Sequence, residues 1–414
     1  MKKNTTQTTF SSYQKFVIFI LVMTQFSIVL DFMIMSPMGD MLMKAFTLKP
    51  AQFGAAVSGY AFSAGVSGFL TAGFADRFDR KKLLLFFYAG FILGTFLCSM
   101  ANSYTMLLVT RVITGMFGGV IGSISVAILT DLFDIDHRGR VMGLVMMGFG
   151  ASQVLGIPFS LYLANHWGWR APFVLMAVVA VLIVIVIFVK LEPVTQHLSK
   201  QMDRTIFQHL LHTFSDGSYR VGYFSTALLS VGGFMMMPFA SAFAIDNLKI
   251  TQEQLPLLFL VTGSSSLIIM PMVGRLADRI NKFTLFAIAS LWMMAMVVFY
   301  TNLSATPLWL VMILNIIIMM GIQGRMVPSS ALTTELPRIQ DRGAFMSINS
   351  SLQQLAGGVA AACAGMIVGQ KDKFSPLEHY NTLGYVMILI SLVSVMLLYR
   401  VSVLVKKKPD EKKV

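Results

Sequence analysis

Runs of about twenty apolar residues, each long enough to cross the hydrocarbon of a bilayer as a helix, recur along this chain from Phe16 almost to its C-terminus. Nothing else in the sequence restricts the fold as much. In lipid the backbone must satisfy its own hydrogen bonds, so a chain built of such runs is confined to membrane-spanning α-helices. Composition agrees: 56% of residues are hydrophobic, 12% are charged and the mean hydropathy is +0.73, against about a quarter charged in soluble domains. No soluble domain of any size is expected.

The runs are separated by Gly, Pro, Asn or clusters of charge. They fall at about 16–43, 51–75, 83–101, 104–131, 141–164 and 171–190, then at about 219–245, 254–277, 283–301, 306–334, 343–368 and 380–404. The fold class is therefore an all-α membrane protein of twelve transmembrane helices in two sets of six. The first run follows three lysines as a signal peptide would, but it has no small-residue cleavage site and reads as a retained helix. Residues 1–190 and 219–414 form the two expected domains, with residues 191–218 as a polar linker. Within the linker Ile206, Phe207, Leu210, Leu211 and Phe214 follow helical spacing. They fit either an amphipathic helix on the membrane surface or a plain solvated tether.

Charge sorts by side. Of 32 Lys and Arg, 24 fall in loops and tails on the side of the termini, six on the other side and two, Arg111 and Arg325, within apolar runs. By the positive-inside rule both termini of this multi-pass protein are expected in the cytoplasm. The net charge of +13 then needs no nucleic-acid partner. Cys98 and Cys363 lie in apolar runs of different halves and suggest neither a disulfide nor a thiolate metal site. The six histidines sit in loops or at boundaries, no GxxxxGK[ST] loop is present, and no cluster has metal-ligand spacing. No cofactor, no metal and no enzymatic activity are expected, and an ATP-driven pump is excluded.

The halves repeat one another. TDLFDIDHRGRVMG at 130–143 aligns without gaps to TELPRIQDRGAFMS at 334–347, an offset of 204, and FADRFDRKK at 74–82 matches LADRINK at 276–282, an offset of 202. Six helices return the chain to its starting side, so these are parallel repeats about an axis along the membrane normal.

Two loops carry a motif. AGFADRFDRKKLLLF follows the second run and GRLADRINKFTLF the eighth. They resemble the GxLADRxGRK hallmark of the major facilitator superfamily, although Ala72 replaces its leading glycine and Asp79 its second. The resemblance implies two six-helix bundles, and it implies that Asp76, Arg77, Arg80, Asp278 and Arg279 act as conformational latches. A basic loop that merely obeys positive-inside is the alternative.

Arg111 in the fourth run, about seven residues or roughly 10 Å inside its far end, opens Arg111, Gly115 and Gly119, which resemble the family's RxxxGxxxG motif. The resemblance implies a role in proton coupling; a snorkelling residue is the alternative. The fifth run, GFGASQVLGIPFSLYLANHWGWRAPF, places Gly148, Gly150, Gly156 and Pro158 where close helix contact and a bend are possible. It resembles, in part, the antiporter signature of exporters in the family. Arg325 in the tenth run could bind an anionic substrate, gate the path or tie a helix end. Gln25, Gln153, Gln323, Gln353 and Gln354 are cavity candidates or ordinary interhelical bonds. The 31 methionines could line an adaptable cavity or simply face lipid.

Asp31 stands apart, as the one carboxylate placed well inside a helix, about 12 residues or roughly 18 Å from the far end of the first run and loosely level with Arg111. Together these features resemble the proton-coupled drug and sugar efflux branch. The resemblance implies export of a small organic molecule in exchange for protons, with Asp31 and Arg111 as the coupling pair. It also implies a monomer whose partners are substrate, protons and membrane lipids. Import by symport and lipid flipping are the other readings.

Overall fold

A computed structural model describes residues 10–71, 77–195, 198, 213–338 and 341–407, with the side chains of residues 135 and 136 excepted. Asp76 of the first motif and residues 206–211 of the linker lie outside the described residues. The first half runs α1 (Ser12–Ile34), α2 (Gly39–Phe46), α3 (Pro50–Thr71), α4 (Arg80–Ser99), α5 (Tyr104–Leu132), α6 (Ile135–Ala151), α7 (Ile157–Trp167) and α8 (Arg170–Lys190). The second runs α9 (Gly217–Phe234), α10 (Leu255–Arg279), α11 (Lys282–Thr301), α12 (Leu308–Glu335), α13 (Arg342–Ile367) and α14 (Tyr380–Lys407). Eleven spans are long and apolar enough to cross a membrane on length and hydropathy. The remaining helix, α13, dilutes its apolar residues with Ser, Gln, Gly and Ala, and completes the twelve-helix, two-repeat fold.

Short polar side chains start these helices by accepting the first free backbone N–H groups. Ser11 and Gln14 form a capping box at α1, and Ser103 caps α5. Asp79 caps α4 by accepting from the Lys81 N–H, and Asn281 caps α11 by accepting from Phe283 and Thr284. Asp79 and Asn281 are repeat partners at the offset of 202. The aspartate that replaces the motif's second glycine is thus the N-cap of the next helix, and it also accepts from the Val194 N–H at the start of the linker.

The first run is not one helix from 16 to 43. The α-helix stops at Ile34, the chain turns through residues 35–38, and α2 restarts at Gly39. Pro37 lies in that turn, where its missing N–H and fixed φ oppose helix continuation. The seventh run breaks likewise: α9 ends at Phe234 and a short 3₁₀ turn, Met237–Phe239, follows around Pro238. The prolines are 201 positions apart, one per repeat. The fifth run is continuous from α6 to α7 through a π-helical turn, Ser152–Gly156, that ends two residues before Pro158.

Each half has an apolar interior toward the face that carries the chain termini: Val17, Leu84, Ile121 and Leu129 among others in the first, Phe286, Leu332, Phe345 and Leu398 among others in the second. A larger cluster toward the far face joins both halves, from Ile34 and Leu42 to Phe239 and Phe243. The halves meet most extensively where α3 lies along α13, through Gly54 on Ala361 and Gly365, and Gly65 on Leu355.

Candidate functional site

Glycines set the position of the buried charge. A Cβ on Gly115 would come within 2.3 Å of the Tyr60 carbonyl oxygen, and one on Gly119 within 2.4 Å of the Ala64 carbonyl. The stripe lets α5 lie backbone against backbone on α3. Arg111, one turn before Gly115, is thereby laid over the Tyr60 ring, with Cζ 4.4 Å from the centroid. Its guanidinium then reaches α1: Nη1 donates to Asp31 Oδ2 at 2.9 Å and Nη2 to the Asp31 backbone oxygen at 3.2 Å. Thr95 of α4 donates to the other carboxylate oxygen at 3.2 Å.

Asp31 and Arg111 are 0% and 1% exposed. A charge pair so buried persists only when its desolvation is offset by close geometry and further hydrogen bonds, and this one is held from four helices. The sequence reading placed Asp31 about 12 residues from the far end of its helix. It lies three residues from the end of α1, because that helix stops at Ile34. Thr95 and Tyr60 were not foreseen.

Beside the pair is an apolar cleft between the halves, lined by Phe32, Val57 and Ala61 on one side and Phe234, Gly357 and Ala361 on the other. Phe32, next to Asp31, contacts Tyr60 at 5.3 Å and Phe234 of the opposite half at 5.9 Å between centroids. The buried charge and the interface are therefore linked through one aromatic row.

At the far face the halves are tied by polar contacts. Lys44 on α2 sits 2.6 Å from Asp40 and 3.2 Å from Asp246 of the second half. Gln252 donates to Asp40 at 3.0 Å, Gln370 donates to Asp246 at 3.1 Å, and Asn165 donates to the Gln252 backbone at 2.8 Å. Burial works against the Lys44 charge, but Asp40 and Asp246 outweigh it and hold the ammonium above the usual lysine value, so it stays charged at neutral pH. The two proline turns also grip one another: Ser36 donates to the Met237 carbonyl, and Ser241 donates to the Ser36 carbonyl. None of these contacts is read from the sequence, where Lys44 is one of the six charges on the sparse side.

The remaining candidates fall in several places. Gly148 and Gly156 pack on α1, against Val22 and Leu30, and Gly150 on Leu267 across the interface; Pro158 is buried at the start of α7. Gln153, in the π turn, accepts from Ser266 of the second half at 3.4 Å. Gln25, Gln323 and Gln354 are half-buried and Gln353 is exposed. Arg80 is buried and pairs with Asp131 at 3.4 Å, whereas Arg77, Asp278 and Arg279 are exposed. Arg325 is buried, 5.8 Å from the Phe286 ring. Cys98 and Cys363 are free thiols.

Duplicated six-helix halves joined at one face around a buried charge define a polytopic membrane protein of the twelve-helix, two-repeat kind. The family model of the Major Facilitator Superfamily matches residues 21–334 and 222–414, and the chain belongs to that superfamily. The MFS-type transporter YceJ of Bacillus subtilis (strain 168) is 23% identical over 255 residues, spanning 61% of this chain and 64% of that one. A "Probable sugar efflux transporter" of Helicobacter pylori (strain P12) is 24% identical over 282 residues, 67% of this chain and 70% of its own. Among solved structures, a bacterial homologue of the human lysosomal transporter Spinster, inward-facing and unoccupied, superposes with a TM-score of 0.77 at 15% identity, covering 96% of this chain and 99% of that one. A D-xylose–proton symporter gives 0.75 at 17% identity, covering 97% and 99%. These two share the fold.

Proposed function

We propose that this protein is a proton-coupled antiporter that exports a small organic molecule, drug-like or sugar-like, across the bacterial inner membrane, with both termini in the cytoplasm. The observation that carries the reading is the Asp31–Arg111 pair, buried in the bilayer beside the inter-half cleft. Ionisable residues in that position are costly, and those that occur there mark functional sites. Asp31 has the chemistry of a proton carrier: a proton on its carboxylate cancels the attraction for Arg111 and frees the guanidinium, while deprotonation restores the pair. Residues 1–190 and 219–414 would rock as two bodies about the cleft, working as a monomer, with the far-face contacts broken when that side opens. Exchange follows if proton and substrate favour different arrangements of α1.

The likeness to the Helicobacter pylori relative supports the sugar-efflux side of this reading. In everted membrane vesicles with an imposed proton gradient, ethidium or a radiolabelled galactoside should be accumulated, and the gradient should partly collapse as it is. Accumulation driven in the opposite orientation would establish import instead, and movement of a labelled lipid without either solute would establish flipping.

A further inference from the structure

The two halves are unlike in their interiors. Across the repeat, at the offset of 204, Arg325, Thr333 and Asn349 take the places of Ile121, Leu129 and Val145, and at the nearer offset of 202 Ser290 takes the place of Tyr88. All four first-half residues belong to one buried apolar cluster. Their second-half counterparts are also buried, at 4%, 3%, 4% and 0% exposure, yet they are polar.

None of the four is satisfied. Arg325 Nε and Nη2, Thr333 Oγ1, Asn349 Oδ1 and Ser290 Oγ have no hydrogen-bond partner among the described residues. Serine and threonine in membrane helices usually bond the carbonyl three or four residues back. Thr226, Thr301 and Ser394 of the same half do so; Ser290 and Thr333 do not, so their hydroxyls are free for another partner. Arg325 and Ser290 lie on helices that pack together, with their preceding residues Gly324 and Ala289 in contact; Thr333 and Asn349 lie in the same half. Arg325 lies against Phe286, which packs in one cluster with Leu332 and Ile348. Ser290 follows Phe286 by one helical turn, and Thr333 and Asn349 follow Leu332 and Ile348 directly.

A guanidinium within the bilayer needs a counter-charge. Arg111 has Asp31; Arg325 has the Phe286 ring and, among the described residues, no ion pair and no hydrogen bond at its Nε and Nη2. The free guanidinium N–H groups are donors and a free hydroxyl can donate, and a planar guanidinium fork with a hydroxyl donor is the chemistry that holds a carboxylate, a phosphate or a halide. We propose that the second half encloses an anion site at Arg325, taking a small inorganic anion or the anionic group of a transported substrate. Only the second source rests on the transport reading.

Thermal unfolding of the purified full-length protein tests this. In a low-salt zwitterionic buffer, sodium chloride, sodium phosphate, glucose 6-phosphate and glucose would each be titrated against the wild type, Arg325→Met, Arg325→Lys and Ser290→Ala. A ligand binding only the folded state raises the midpoint with concentration, here by about 3 °C at saturating levels. The expected result is such a rise with at least one anion and not with glucose, lost in Arg325→Met, and retained in part in Arg325→Lys and Ser290→Ala. A rise with chloride or phosphate identifies a free anion; a rise with glucose 6-phosphate alone identifies a substrate's anionic group. No rise in the wild type, or equal rises in wild type and Arg325→Met, overturns the site. Because the readout involves no transport, that outcome would leave the antiport reading standing, and a failure of antiport would leave an observed anion shift intact.

Discussion

Asp31 and Arg111 sit where each alone would be a fault. Removing one partner of a buried pair leaves an uncompensated charge at a cost of about 3–5 kcal/mol. Arg111→Ala should therefore unfold more readily than Arg111→Ala combined with Asp31→Asn, which removes both charges. A thermal denaturation cycle over the single and double variants measures the coupling, and additive effects would show that the pair contributes nothing. The glycines that position Arg111 make a second comparison. Leucine at Gly119 would have to displace the Ala64 backbone, an overpacking cost of at least about 1–3 kcal/mol. A Cβ on Gly122 of the same helix would meet no neighbouring helix or side chain within 4 Å, so Gly122→Ala should be neutral or gain up to about 1 kcal/mol of helix propensity. Unfolding midpoints of the two variants give the contrast. The charged pair was legible in the sequence because charge inside an apolar run is rare. Thr95 and Tyr60 were not, because such residues are common in membrane helices and their convergence on Asp31 depends on how α1, α3, α4 and α5 pack.

At the scale of elements, the two broken helices are the informative ones. Pro37 and Pro238 end the first span of each repeat at matching places, and the resulting turns seal the far face through Ser36, Met237 and Ser241. The α2 helix that restarts beyond the first turn carries Asp40 and Lys44 to Asp246. Lys44→Glu would set a third carboxylate beside those two. Maleimide labelling of an Ala242→Cys background, where the position is fully buried, should then speed up about five- to tenfold, the response to a shift of about 1 kcal/mol between closed and open forms. Unchanged labelling would mean that these charges do not hold the face shut. Apolar periodicity gives the number and order of spans; Pro37 is legible as a place for a bend, but the full stop at Ile34 and the restart at Gly39 emerge only from the turn between them. Asp79 was legible only as a departure from the motif; its role as an N-cap emerges from the start of α4.

For the whole molecule, the duplicated pattern, the charge asymmetry and the loop motifs made the two-half architecture legible, whereas which face is closed is a property of inter-half contacts that no single run encodes. The far face is held by an ion pair and hydrogen bonds between α2 and the second half, and the Asp31–Arg111 pair lies just beneath, joined to the interface through Phe32 and Phe234. The central claim is that a proton on Asp31 changes which face is open. Spin labels at Lys49 and Lys373, exposed positions of the two halves at the far face, measure the opening directly by their distance distribution in lipid. The account predicts that acidification redistributes the population between short and long distances in the wild type, and that Asp31→Asn removes this pH dependence. A pH response that is unchanged in Asp31→Asn would contradict it.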